Sequence, residues 1–267
     1  GTPFTMMKYI FKGMLKNYLK TAVRNLWKGR IFNGMNVFGL SVAIACSTLL
    51  FLAVSFEFSF DKFHKNLPNL YQLYQTVYRA DNTSRNTSMP EPLTPAMKAE
   101  YPEIAGISRV GNGGAEVKYK DKRIGQSIHF VDEDFLKMFT FPVVAGNSAS
   151  PLRHINDIAL TQFAANAIFN KGDNPVGKVV ELTFNGQTQS YIVTAIVKDF
   201  PDNSSIKFDI LMRFENFPNY RENLNAWDNE NHSVFIQLNK GADKARFEHN
   251  LQKFTQRHFA TTIKNIK

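Results

Sequence analysis

Residues 37–56 read VFGLSVAIACSTLLFLAVSF, the densest part of a run from Ile31 to Phe56 that contains no charged side chain. About twenty residues at roughly 1.5 Å rise each match the hydrocarbon thickness of a bilayer, so the run predicts one membrane-spanning helix, at residues 34–57. Gly34, Gly39, Ser41, Ser47 and Thr48 are the small, weakly polar residues that let membrane helices approach closely. They predict helical neighbours for the span, with a lone anchor as the simpler alternative. A cleaved signal peptide is the rival reading, because Ala53-Val54-Ser55 resembles a small-x-small cleavage site. Both the basic segment and the apolar run are longer than a signal peptide needs.

Working outward, the flank before the run carries Lys8, Lys12, Lys16, Lys20, Arg24, Lys28 and Arg30 and no acidic residue. Setting those seven aside from the 32 Lys and Arg leaves 25 basic against 23 acidic residues, so the formal charge of +9 is local. A basic stretch beside a span reads as attraction to the anionic cytoplasmic leaflet, and nucleic acid is not an expected partner. The positive-inside bias keeps residues 1–33 in the cytoplasm and sends everything after Glu57 across the membrane. Phe11, Leu15, Tyr18, Ala22 and Leu26 recur at three- and four-residue steps. They predict an amphipathic helix at the membrane surface, with Trp27 near the boundary where an indole is favoured. Residues 1–5 do not begin with Met and are set aside as a trimmed or foreign start. Cys46, the single cysteine, lies inside the run, so no disulfide framework exists.

Residues 58–267 read as one α+β region with strands outnumbering helices. Strands are expected at 70–79, 107–110, 116–119 and 124–130, with a polar loop at 82–88. Thr94-Pro95 predicts a helix start running to about Tyr101, and Asp132 is expected to cap a helical turn at 132–139. Thr161 is expected to cap a helix within 158–169. Asn185-Gly186 between alternating runs at 179–184 and 190–198 is a hairpin signal. Further strands are expected at 208–214 and 234–238, and Phe247, Leu251, Phe254 and His258 mark a last amphipathic helix.

No catalytic, cofactor-binding or metal-binding residue is expected in this sequence. Gly172-Asp173-Asn174-Pro175-Val176-Gly177-Lys178 has the G-x-x-x-x-G-K spacing of a phosphate-binding loop. Such a loop needs Ser or Thr next and then a helix, whereas Val179 and a strand-like alternation follow, so a turn is expected. His64, His129, His154, His232, His249 and His258 include no pair at metal-ligand spacing on one helix face. Asp132, Glu133 and Asp134 suit helix capping better than acid–base work. No G-x-S-x-G and no Cys/His nucleophile context occurs. The 24 phenylalanines, including Phe139/Phe141 and Phe214/Phe217, are expected to pack a core.

An ordered set of motifs runs through the chain: Met14-Leu15-Lys16-Asn17-Tyr18-Leu19-Lys20, Ala22-Val23-Arg24-Asn25-Leu26, Asn36-Val37-Phe38-Gly39-Leu40-Ser41 and Phe60-Asp61-Lys62-Phe63-His64. It continues with the aromatic strand at 71–78, Pro92-Leu93-Thr94-Pro95-Ala96, Val131-Asp132-Glu133-Asp134-Phe135-Leu136 and Phe139-Thr140-Phe141-Pro142 with Gly146. Ala159-Leu160-Thr161, Asn174-Pro175-Val176-Gly177-Lys178, residues 191–201 and Ser204-Ser205-Ile206-Lys207-Phe208-Asp209 complete it. In this order they resemble the permease subunits of ABC transporters of the MacB/FtsX/LolC type, with a MacB-like periplasmic core domain.

The resemblance implies a non-enzymatic permease in the bacterial inner membrane, with its N-terminus cytoplasmic and its main domain periplasmic. It implies that ATP is bound and hydrolysed by a partner ABC ATPase subunit, so that no cofactor belongs to this chain. A second permease in a homo- or heterodimer, a periplasmic adaptor and membrane lipid are the other implied partners. The implied domain has a porter-like part built from segments near both its ends and an inserted smaller, β-rich part near 110–190. Permeases of this type carry three further spans after the domain, so the chain reads as truncated before them, and independent transport by it is not expected. The alternative function class is a membrane-anchored extracytoplasmic sensor or ligand-binding module; an anchored enzyme is a third, for which no constellation was found. A reporter that works only on the export side of the membrane, fused after residue 60, is expected to be active, and activity only of a cytoplasm-dependent reporter overturns this topology.

Overall fold

The computed structural model describes residues 3–78 and 82–260; of residues 3–13, Leu15 and Leu26 only the backbone is described. The chain divides into two compact units, Gly1–Ser59 and Phe60–Lys267. The first holds helices α1 (Pro3–Lys28) and α2 (Arg30–Glu57). The Phe11, Leu15 and Leu26 side chains of the expected amphipathic stripe lie outside the described residues. The 28 residues of α2 extend about 42 Å, and none of them is buried. Its Ser41 hydroxyl donates to the Val37 carbonyl at 2.7 Å and its Thr48 hydroxyl to that of Ile44 at 2.8 Å. Both polar groups are thus satisfied inside the helix, which removes their cost in a hydrocarbon.

The second unit runs β1 (Leu70–Gln72), β2 (Gln75–Tyr78), β3 (Thr83–Asn86), β4 (Ser88–Pro90), α3 (Leu93–Glu100), β5 (Ile104–Tyr119) and β6 (Lys122–Val131). It continues α4 (Phe135–Met138), β7 (Val143–Gly146), β8 (Asp157–Thr161), α5 (Gln162–Ile168), β9 (Val179–Phe184) and β10 (Gln187–Val197). It closes with β11 (Ile210–Arg213), α6 (Tyr220–Asn223), β12 (Glu230–Leu238) and α7 (Lys244–His258). Among the described residues ten strands form one mixed sheet in the order β1-β12-β5-β6-β11-β8-β10-β7, with β4 on β12 and β9 on both β10 and β5.

Several local expectations hold. The β9–β10 hairpin turns on Asn185 and Gly186, both at positive φ. Thr161 caps α5 by accepting from the Ala164 amide at 3.1 Å. The phenylalanines form the core: Phe135, Phe139, Phe141 and Phe208 are each at most 4% exposed. Their rings meet at 4.7 Å (Phe135–Phe139) and 5.2 Å (Phe141–Phe208).

Other expectations are corrected. The expected loop 82–88 contains β3, which pairs with β2 from Gln75↔Asn86 to Tyr78↔Thr83. The expected strand 70–79 breaks at Leu73, whose amide turns to the Val234 carbonyl at 2.9 Å. The two short strands expected at 107–110 and 116–119 are one 16-residue strand, β5. Its Gly111, Gly113 and Gly114, in the gap between the two expected strands, pair with Phe130, Ile128 and Ser127 of β6. At two of the three, aromatic rings fill the space of a side chain: a Cβ on Gly111 would lie 2.5 Å from the Phe217 ring, and one on Gly113 would lie 3.0 Å from Phe130, whereas Gly114 has only the Gln126 carbonyl at 3.7 Å. Thr94 is not a cap. The helix starts at Leu93 after Pro92, whose φ of −67° is already helical, and the Thr94 hydroxyl is buried without a partner. Asp132 offers α4 its backbone carbonyl alone, because its carboxylate is taken by Arg109.

The first residues of the second unit are pinned to two distant loops. The Asp61 carboxylate accepts from the Ser205 amide at 2.9 Å and the Ser205 hydroxyl at 2.5 Å. His64, 3% exposed, accepts on Nδ1 from the Thr140 amide at 3.0 Å, which requires that nitrogen to be unprotonated. Burial, opposed by Asp61, holds the His64 pKa below its usual value, in agreement.

Gly146, at φ +88°, has no room for a side chain: a Cβ would lie 2.2 Å from the Thr194 carbonyl oxygen. Gly146→Ala is therefore expected to cost about 3 kcal/mol of stability in urea denaturation, whereas Gly172→Ala, strained in φ but with open space around it, is expected to cost about 1 kcal/mol.

Candidate functional site

A polar row crosses one face of the sheet where an apolar core would be expected. Arg109 of β5 pairs with Val234 of β12, and on its other side lies Asp132, just past the end of β6. Arg109 is 7% exposed. Its Nε and Nη2 donate to the Asp132 carboxylate at 2.9 and 2.6 Å, and its own amide donates to the same group at 2.7 Å. Burial disfavours the guanidinium charge, but the Asp132 carboxylate outweighs it and raises the Arg109 pKa. The guanidinium also lies 4.1 Å from the centre of the Phe214 ring and 5.4 Å from that of Tyr220.

His232 sits two residues before Val234 on β12, 3% exposed, and is paired across to Met89 of β4. Its Nδ1 meets the Asn231 side-chain oxygen at 2.8 Å, and its Nε2 has no partner. Burial, reinforced by the Arg109 charge, pushes its pKa down to about 3, so the ring is neutral. Glu91, two residues beyond Met89, is 1% exposed and neither of its oxygens has a hydrogen-bond partner. Burial pushes its pKa up to about 7, against the pull of the Arg109 charge. An acid and a base with oppositely displaced pKa values thus flank one buried cation.

Residues 214–222 cover this row. Phe214 is fully buried, Phe217 sits in the space left by Gly111, and Asn219 takes a left-handed φ of 58° before α6. The start of the loop is fixed by Arg213, which donates to Glu215 at 2.9 and 2.5 Å and also binds Glu133.

The outer side of the same loop forms one wall of a cleft of about 440 Å³. The opposite wall comes from β10. Gln187, Gln189 and Tyr191 alternate along the strand and so share a face, which Asn185 of the turn extends. The Tyr191 hydroxyl lies 3.2 Å from Asn216 Oδ1 and 3.3 Å from Gln189 Oε1. Asn216 is fixed in orientation, because its Nδ2 donates to the Ile155 and Arg213 carbonyls at 2.8 and 3.3 Å. Asn219, Arg221 and Glu222 stand exposed at the rim.

Sequence reasoning named Asp132, Glu133, His232, Phe214, Phe217 and Asn185 only as capping, core or turn residues, and it did not single out Arg109, Glu91, Gln187, Gln189, Asn216 or Asn219. The available signal was the i, i+2 repeat of Gln187, Gln189 and Tyr191 after an Asn-Gly turn; nothing local marks Glu91 or Arg109 as buried. Gly172–Lys178 is a turn, with Gly172 and Gly177 at positive φ and β9 beginning at Val179. Among the described residues no group of three His, Cys, Asp or Glu side chains is placed to hold a metal.

The two displaced pKa values set opposite pH slopes. Glu91, raised from 4.5 to about 7, costs stability progressively as pH rises through that interval. His232, lowered from 6.5 to about 3, costs stability as pH falls through its own interval. Between pH 4.5 and 6.5 the slopes oppose each other. Glu91→Gln removes one of them, so the variant's stability relative to the parent is expected to grow with pH to a plateau of about 3 kcal/mol above pH 7. Urea denaturation at a series of pH values checks this; a pH-independent difference overturns it.

The sequence profile of the MacB-like periplasmic core domain matches residues 34–254. A solved domain of a protein described as a permease from Porphyromonas gingivalis superposes with a TM-score of 0.62 at 20% identity, over 74% of this chain and 84% of that one. The periplasmic region of MacB from Actinobacillus actinomycetemcomitans does so with a TM-score of 0.50 at 14% identity, over 71% and 83%. No curated protein matches by the same kind of search. At such identities the structures speak to the fold, and the profile, which covers well over half the sequence, speaks to the family. An apolar helix followed by this α+β domain, matched by one profile from residue 34 to residue 254, makes the chain a member of the MacB-like periplasmic core domain family of ABC permeases.

Proposed function

We propose that this chain is the anchor and periplasmic part of a permease in an ABC-type export or mechanotransmission complex. In this reading ATP hydrolysis on a partner subunit moves the domain, and the chain itself performs no hydrolysis. The observation that carries the reading is that the family profile begins inside α2 and runs through the domain, so anchor and domain are matched as one unit. The basic flank supports an orientation with α1 at the cytoplasmic face of the inner membrane and residues 60–267 in the periplasm. Pairing with a second permease, and with an adaptor, belongs to the same reading.

Within the domain we place the inserted part at 110–190. Packing supports a division of this kind. Met89, Leu93, Tyr101, Ile107, Val234 and Phe254, drawn from both ends of the domain, share one hydrophobic cluster. Val117, Ile128, Leu160 and Val180 belong to another, which also takes in Tyr191, Ile210 and Phe214 from beyond that range.

The test is co-purification of the full-length gene product with an ABC ATPase subunit from the same cell. Deleting residues 60–267 is expected to change the ATPase rate by about fivefold, the low end of ordinary inter-site coupling. If no ATPase associates, the transporter reading fails, and a sensor or binding module on one anchor takes its place.

A further inference from the structure

We propose that the cleft between β10 and loop 214–222 is a binding site for a neutral, polyhydroxylated solute, a short oligosaccharide segment. Its volume of about 440 Å³ falls in the range of small-molecule pockets, roughly 300–1,000 Å³. The choice of ligand follows from what lines it. Gln187, Gln189, Asn216 and Asn219 present side-chain amides, which both donate and accept. A sugar hydroxyl does the same, so adjacent hydroxyls and amides satisfy one another in pairs. Exposed Glu222 and Arg221 add charge-assisted partners for hydroxyls, and Phe217 and Tyr220 bring rings to the same wall.

The other ligand classes fit less well. A lipid or apolar solute would leave the amides unpaired in a desolvated contact, which costs more than it gains. An anionic polymer such as nucleic acid meets two carboxylates, Glu215 and Glu222, and one cation, Arg221. A peptide added as a strand would need the one open edge of β10, over 187–191, where β9 pairs one side and β8 begins only at Ile192; backbone pairing there makes no use of the amide side chains that line the cleft, and the peptide control below tests that mode. The site is also partly organised before any ligand arrives. Tyr191 has one hydroxyl proton and two oxygen neighbours, while Asn216 is held by the Ile155 and Arg213 carbonyls. Gln189 is held more weakly, by contacts of 3.5 Å to Gln187 and 3.3 Å to Tyr191, and is the member that can turn its amide toward a ligand.

Binding is measured without any ATPase, so this inference stands or falls separately from the transporter reading. The full chain in lipid nanodiscs, prepared without sugar-based detergent, is titrated with cellotetraose, maltotetraose and N-acetylchitotetraose by saturation-transfer NMR and calorimetry, with pentaglycine as the peptide control. At least one saccharide is expected to bind, and Gln187→Ala combined with Gln189→Ala, or Glu222→Gln, is expected to weaken it by at least about tenfold with the thermal melt unchanged. Hydrogen-exchange protection on adding the saccharide, expected at 187–191 and 214–222, reads the site without relying on any variant. Binding by none of the three saccharides, binding insensitive to these variants, protection confined to other segments, or binding of pentaglycine in the cleft in place of a saccharide each overturns the proposal.

Discussion

The second unit depends on the uninterrupted backbone pairing of β5. Over 104–110 this strand is held by β12, and over 110–119 by β6, with β9 joining at 116–118. One strand therefore belongs both to the region closed by the chain's later segments and to the region built from its middle. Each ladder hydrogen bond contributes about 1 kcal/mol net, so the energy of pairing alone does not explain the arrangement. What pairing supplies is register. It sets Arg109 beside Asp132, places Gly111 beneath Phe217, and positions loop 214–222 over both.

A buried charge is tolerated at the centre of this arrangement because its geometry is complete. Three donors of Arg109 end on one carboxylate, and two aromatic rings cover the guanidinium. Removing one partner of such a pair typically costs about 3–5 kcal/mol, since the remaining charge is left in a poor solvent. Glu91 and His232 show the other solution to burial: each is displaced toward its neutral form. Glu215 and Tyr220 connect the two sides of the loop. Tyr220 carries the Arg109 guanidinium on its ring, Glu215 feels the Arg109 charge, and both line the outer cleft.

Helix α2 and the sheet domain obey different physics. α2 is uncharged from Ile31 to Phe56, with its Ser41 and Thr48 hydroxyls closed onto its own carbonyls, as a hydrocarbon solvent demands. The domain buries most of its phenylalanines in discrete clusters and, the Arg109 row apart, keeps most of its charges outward, as water demands. Their union in one family profile is what ties an extracytoplasmic domain to an anchor.

Features encoded within a few residues were legible in the sequence. The uncharged run of α2, the Asn-Gly hairpin, the Thr161 cap and the stripe of Phe247, Leu251 and Phe254 on α7 each follow from local periodicity or turn chemistry. The decoy at Gly172–Lys178 was resolved the same way, by the strand that follows it. The continuity of β5 through three glycines, strand β3 in a polar segment, the use of Asp132 by Arg109 in place of a cap, and the amide-lined cleft were not legible. Each depends on a group distant in the chain: Phe217 over Gly111, β2 beside β3, Arg109 opposite Asp132, and Asn216 facing Tyr191. The sequence alone determined the anchor and the local turns, because solvent and backbone torsions act residue by residue; tertiary structure decided the buried row and the cleft, because those exist only once strands remote in sequence are brought into register.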